Sequence, residues 1–232
     1  MIRTMRSKSK NFLSIALALI MLMVLIPQNV HAATAHEIQN QINNIQGLSA
    51  SRSGNTVTVT GTRSNYNESL SLDLNNNVRV IWLATLTAGS SLRDPLIEIT
   101  GSGTFEVGNN GEIAAQDREA IKGSSTSCKI VVSGGLVSST SNNSNYPVIY
   151  LSSSGNTGEN LTISGGRVEA KGTTQALSSS GTVKVTGGEV LANQGAAIRL
   201  NGSSAKAEVS GGLVFAYGTQ IVGTSSSNRN VI

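Results

Sequence analysis

From Thr56 onward, apolar and polar residues alternate with a period of two, and the alternation recurs in a longer unit. The unit is clearest from Leu161 to Ala216. Leu161-Thr-Ile163-Ser-Gly-Gly166-Arg-Val168-Glu-Ala170 is followed by Val183-Lys-Val185-Thr-Gly-Gly188-Glu-Val190-Leu-Ala192. A third copy reads Ala207-Glu-Val209-Ser-Gly-Gly212-Leu-Val214-Phe-Ala216. With the second Gly of each corner as origin, copies fall at Gly111, Gly135, Gly166, Gly188 and Gly212, at intervals of 24, 31, 22 and 24 residues. The long interval carries the polar run Ser138–Tyr146, which reads as a loop leaving one coil.

Fixed columns follow from this register. Ile113, Val137, Val168, Val190 and Val214 lie two residues past each origin; Ala115, Ser139, Ala170, Ala192 and Ala216 lie four past it. Ile130/Val132, Leu161/Ile163, Val183/Val185 and Ala207/Val209 precede the corner, with Phe105/Val107 one residue further out. Ala120-Ile121, Val148-Ile149, Ala176-Leu177, Ala197-Ile198 and Ile221-Val222 close each coil. Three short strands per turn, in units of 22–24 residues, predict an all-β protein built as a three-sided parallel β-solenoid. Each copy is a unit whose apolar side only stacking can bury. The glycine corner fits a backbone conformation that is costly for any residue with a Cβ.

Earlier segments have other patterns. Val57/Val59, Leu70/Leu72/Leu74 and the run Val78–Leu86 alternate as strands between Gly- and Asn-rich turns. Trp82 lies within the longest of these runs, which favours packing over sugar stacking. Before them, Ile38, Ile42, Ile45 and Leu48 recur at helical spacing behind Thr34-Ala-His-Glu37, a capping-box sequence, and Gly47 is the expected stop. Residues 33–54 are therefore expected to form an amphipathic helix capping the first rung, and 55–232 the solenoid. The extreme end, Asn230-Val-Ile232, reads as the opening strand of one more coil, so the solenoid is expected to be truncated or uncapped there.

The first 32 residues change the charge picture. Arg3, Arg6, Lys8 and Lys10 precede an apolar run from Phe12 to Ile26, and Val30-His31-Ala32 places small residues before a cleavage point between Ala32 and Ala33. This is the layout of a secretory signal peptide, with an uncleaved membrane anchor as the competing reading. Removing 1–32 takes away four of the 17 basic residues and none of the 13 acidic ones, so a net charge of +4 falls to zero. Nothing then favours nucleic acid as a partner, and a membrane would be met only through an uncleaved signal. The single Cys128 excludes an internal disulfide and reads as a small buried residue.

Val80-Ile-Trp82-Leu-Ala-Thr, Leu96-Ile-Glu-Ile-Thr-Gly-Ser-Gly-Thr-Phe-Glu-Val107 and the S/T-Gly-Gly-x-Val-x-Ala unit resemble a family of exported bacterial repeat proteins with right-handed parallel β-helices. The likeness spans roughly 55–232. It implies the right-handed form and a secreted or cell-surface location, in a family mostly without assigned activity. Pectin-binding and pectate-lyase-like proteins share the architecture, which makes polysaccharide the leading ligand class by analogy.

Candidate chemistry is sparse. Glu169 and Glu189 face outward, but Arg167, Lys171 and Lys184 share their columns, as in a ladder of cross-rung ion pairs. Asp117 and Glu119 flank Arg118 at a turn and form a weak candidate for Ca²⁺, the single cofactor considered. Past the signal, His36 is the one histidine, so a Ser–His or Cys–His pair lacks material. Leu191, Leu213, Phe215 and Tyr217 replace the polar pattern at outward positions of the last copies and suggest an interface, with a protein partner, a second copy or a downstream segment. The expectation is a non-catalytic exported module, polysaccharide-binding or adhesive; the alternative is a lyase or glycoside hydrolase acting on pectin-like polymers.

Overall fold

The computed structural model describes residues 32–125, 127–152, 159–201, 203–218 and 228–231. The expected signal segment and the closing pair Ile221-Val222 thus lie outside the described residues, apart from Ala32. Contacts divide the chain into Met1–His31 and Ala32–Ile232. Within the second unit, no described helix is long and apolar enough to cross a membrane.

The chain enters through a cap. Thr34 Oγ1 accepts from the Glu37 N–H at 3.4 Å and Glu37 Oε2 accepts from the Thr34 N–H at 2.7 Å, starting helix α1 (Ala35–Asn43) with the expected capping box. Ala35, Ile38 and Ile42 share its buried face. The helix is shorter than the Ile45 and Leu48 spacing suggests. It stops at Asn43, whose amide group holds both backbone groups of Ala50, and Gly47 (φ +91°) then turns the chain into β1 (Leu48–Ser53). Leu48 is thus a strand residue, because antiparallel pairing with β2 (Thr56–Tyr66) wins over the helical pattern.

Coils follow in order. The first consists of β2 and β3 (Leu70–Leu74), and the second of β4 (Arg79–Trp82), β5 (Thr85–Ala88) and β6 (Ile97–Gly101). The third has β7 (Thr104–Val107), β8 (Glu112–Ala115) and β9 (Ile121–Gly123). In the next three, one long strand bent at the Gly-Gly corner covers two sides: β10 (Lys129–Ser139) with β11 (Ile149–Leu151), β12 (Glu159–Ala170) with β13 (Leu177–Ser179), and β14 (Thr182–Ala192) with β15 (Ile198–Asn201). The last strands are β16 (Lys206–Ala216) and β17 (Asn228–Val231). Between coils the pairing is parallel, giving a parallel β-solenoid of about six turns with two continuous sheets. The all-β class is as the sequence predicts, and so are the columns up to β15.

Inward residues stack in rows. Val80, Phe105, Ile130, Leu161 and Val183 are in register and wholly buried, as are Trp82, Val107, Val132, Ile163 and Val185. Each such side chain contributes roughly 1.5–3 kcal/mol on leaving water. Trp82 is core, its ring 5.9 Å from that of Phe105, so it offers no face to a sugar. Ser139 replaces Ala in its column and satisfies its hydroxyl on the Arg118 carbonyl at 3.0 Å. Cys128 is buried, and burial pushes its thiol up from the ordinary value.

Three points of the sequence reading change. The left-handed corner residue is glycine at Gly135, Gly166, Gly188 and Gly212, but in the first copy it is Asn110 (φ 67°), one position before the assigned Gly111. Asn tolerates that conformation through its short polar side chain. In the polar run, Ser138 and Ser139 still belong to β10; the loop starts at Thr140 and is held by Asn143 to Ser141 and Asn145 to Asn143 hydrogen bonds. The Asn228–Val231 strand does not open a further parallel coil: it runs antiparallel along β15, closing that edge.

Candidate functional site

Three outward surfaces carry the side chains singled out above. The first is the turn between β8 and β9. Asp117 is exposed while Glu119 is buried, 5% exposed, so the two carboxylates stand in different environments. Arg118 is drawn away from both: its guanidinium donates to the Arg93 and Asp117 carbonyls and lies 4.4 Å from the Tyr146 ring centre. Burial raises the Glu119 carboxyl above its usual range, against smaller opposing effects of a hydrogen bond from its own backbone and of the Lys122 and Arg118 charges. Among the described residues no group of three or more His, Cys, Asp and Glu side chains could hold a metal ion.

The second is the charge ladder. Arg167 Nε donates to Glu189 Oε2 at 2.6 Å between directly registered residues of β12 and β14. Lys122 Nζ lies 3.6 Å from Glu98 Oε1 between β9 and β6, and Arg79 of β4 pairs with Glu106 of β7. All three join adjacent rungs, and Arg167–Glu189 is a pair of the kind the sequence pattern suggests. Burial works to raise Glu106, but hydrogen bonds from Ser133 and Arg79 and the guanidinium charge together hold it below the usual range. Glu106 is thus held as the ion, the opposite of what a general acid needs.

The third surface lies on the second half of β16 and the residue after it. Leu213, Phe215 and Tyr217 are 48%, 45% and 51% exposed, and the Phe215 and Tyr217 rings stand 5.1 Å apart, tilted by 57°. Alternation puts them outside, because Val214 between them continues the Val190 column. Leu191, grouped with them by sequence, differs: it is registered beneath Phe215 but only 6% exposed. It is a floor to the patch and not part of its open surface.

Two surface residues were not foreseen. Tyr150, between the inward Ile149 and Leu151, projects half-buried from the centre of the seven-stranded sheet, in register with Lys122 and Ser178. Its position in the alternation would have placed it there. Val209 is 50% exposed although it continues the buried Val185 column. His36 is exposed on α1, its Nε2 3.2 Å from Asn40 Nδ2.

Compared with protein-family models, curated proteins and solved structures, the chain finds no match.

Proposed function

We propose that the protein is a non-catalytic, exported binding module that engages polysaccharide through the exposed Phe215–Tyr217 pair, in the manner of a secreted or cell-surface bacterial β-helix repeat protein. The observation that carries this reading is that pair: two exposed aromatic rings side by side on the sheet, above the buried Leu191 and near the Arg167–Glu189 ion pair. Aromatic rings with one wet edge suit amphipathic ligands, and the adjoining Arg167–Glu189 pair supplies polar groups for hydroxyls. Once residues 1–32 are removed, the zero net charge supports a neutral or weakly charged ligand over nucleic acid. Export would use the N-terminal signal, with membrane contact only if that signal stays attached. No resident cofactor is needed for this role.

The alternative, a lyase or glycoside hydrolase of pectin-like polymers, would draw on Glu119, a carboxylic acid held above its ordinary range. At 5% exposure that group has little access to a polymer. A glycan array with and without Ca²⁺ tests both readings and the Asp117–Glu119 candidate together. Retention that is lost in Phe215→Ser and Tyr217→Ala, without loss of fold, is the expected result. Turnover of a pectin, seen as new reducing ends or unsaturated products, would overthrow it.

A further inference from the structure

The two ends of the solenoid are finished differently. At the first rung, β1 occupies the edge of β2, Ala33 bridges Leu74 of β3, and α1 buries Ile38 and Ile42. At the last, β17 lies along β15, so the third side reaches the same level as β16. Among the described residues no strand pairs with the outer edge of β16. An open edge of this kind is a template for another strand.

The direction of its free groups follows from the ladder. The Lys206 N–H donates to the Gly181 carbonyl at 3.3 Å, so Lys206 and Glu208 turn their backbone groups toward β14. Successive residues alternate, and Ala207 and Val209 therefore turn theirs outward. We propose that this edge pairs with the same edge of a second copy, antiparallel about a two-fold axis at Ala207. In that register Ala207 exchanges two hydrogen bonds with the partner's Ala207, and Val209 is covered by the partner's Ala205. Lys206 falls opposite the partner's Glu208, and Glu208 opposite the partner's Lys206. Those are non-hydrogen-bonded positions, where side chains come closest.

Three features favour a second copy as the occupant. The Lys-Ala-Glu sequence is complementary to itself under a two-fold axis, and neither charge forms an ion pair with another described residue. Ala207 is small enough for two copies to meet at the axis. Among the described residues the first rung carries β1, α1 and the Ala33 bridge, which disfavours head-to-tail stacking into a filament and favours a closed two-fold dimer. The proposal does not depend on the sugar-binding reading, because the aromatic pair points out of the side of the coil and the dimer edge points along its axis.

Sedimentation equilibrium of the purified protein tests it. Wild type is expected to show a monomer–dimer equilibrium that weakens with salt. Glu208→Lys and Lys206→Glu, each placing like charges opposite one another twice, should each raise the dimer dissociation constant about tenfold or more. The double variant K206E/E208K should restore it. Ala207→Cys should give a covalent dimer on mild oxidation, since the roughly 5.5 Å Cα separation of a hydrogen-bonded pair lies within disulfide range. The buried Cys128 is no competitor for that bond. Any of four results overturns the proposal: a monomer at all concentrations, higher assemblies, indifference to the single reversals, or failure of both the double variant and the cysteine. Dimerisation lost in Phe215→Ser would move the interface to the outer patch and equally overturn it.

Discussion

Val185 and Val209 are registered partners in adjacent rungs, yet the first is wholly buried and the second is 50% exposed. The same side chain in the same column thus meets two environments, separated by one strand spacing. The solenoid's core is a sum of nearest-neighbour layers, and the layer above β16 is missing among the described residues. In dilute solution Val185→Ala should cost about 2 kcal/mol, and Val209→Ala no more than about 0.5 kcal/mol. Urea titrations of the two variants measure the difference; equal costs would mean that the last rung is covered.

The corner glycines can be tested against a glycine elsewhere. Gly188 has φ +72°, and a Cβ there would lie 2.6 Å from the Gly165 carbonyl oxygen of the rung below. Gly54, in the β1–β2 turn, has φ +58° with nothing within 4 Å of such a Cβ. Gly54→Ala carries only the conformational penalty, roughly 1–2 kcal/mol. Gly188→Ala carries that penalty and a backbone clash that the neighbouring rung must yield to relieve. Its thermal midpoint should therefore fall clearly further than that of Gly54→Ala, and Gly54→Asn should fall least of all.

Legibility from sequence followed the same physics. The columns were readable because every rung repeats one demand, a β-branched or small residue facing a narrow interior, so Val137, Val168 and Val190 announce one another. Period-two alternation also places Phe215 and Tyr217 outside correctly. It cannot say what lies over an outward residue, which is why Leu191 was grouped with an open patch although only 6% of it is exposed. Nor can it say which way a strand runs. Asn228–Val231 is a strand as its residues suggest, but its antiparallel direction is set by the free edge of β15 and not by its own composition. The helix end at Asn43 is hidden from sequence for a related reason: Leu48 satisfies either period, and pairing with β2 decides between them. Burial of Glu119 depends on neighbours in adjacent rungs, which no local pattern encodes.

The narrow side of the interior gives a graded prediction. Ala115, Ala170 and Ala192 are 4%, 1% and 0% exposed in one column past the corner, whereas Ala216 at its end is half-buried. Ala192→Leu should overpack the column and cost about 1–3 kcal/mol. Ala216→Leu, next to the open edge, should be tolerated in dilute solution. Denaturant midpoints for the two check the register directly, since an unchanged Ala192→Leu would mean that the column does not face inward.

Glu119 gives the pH prediction, with Glu106 as its opposite. Burial raises Glu119 in the folded state above its unfolded value, so the contribution of this group to stability is fully present below the unfolded pKa, about 4.3. It is lost as pH rises through the folded value. Glu119→Gln keeps the shape of the neutral acid and removes the charge that burial opposes. Its thermal midpoint should exceed that of wild type at pH 7, and the gain should vanish near pH 3.5. Glu106 is held low, so its contribution is present above the ordinary carboxylate pKa and is lost as pH falls through its lowered value. Glu106→Gln should accordingly destabilise at pH 7, with a loss that shrinks in acid. Thermal melts of both variants from pH 3 to 8 give two curves of opposite sign. Curves of the same sign would contradict the assigned environments, because the fold ties Glu106 to Arg79 and Ser133, whereas burial dominates at Glu119.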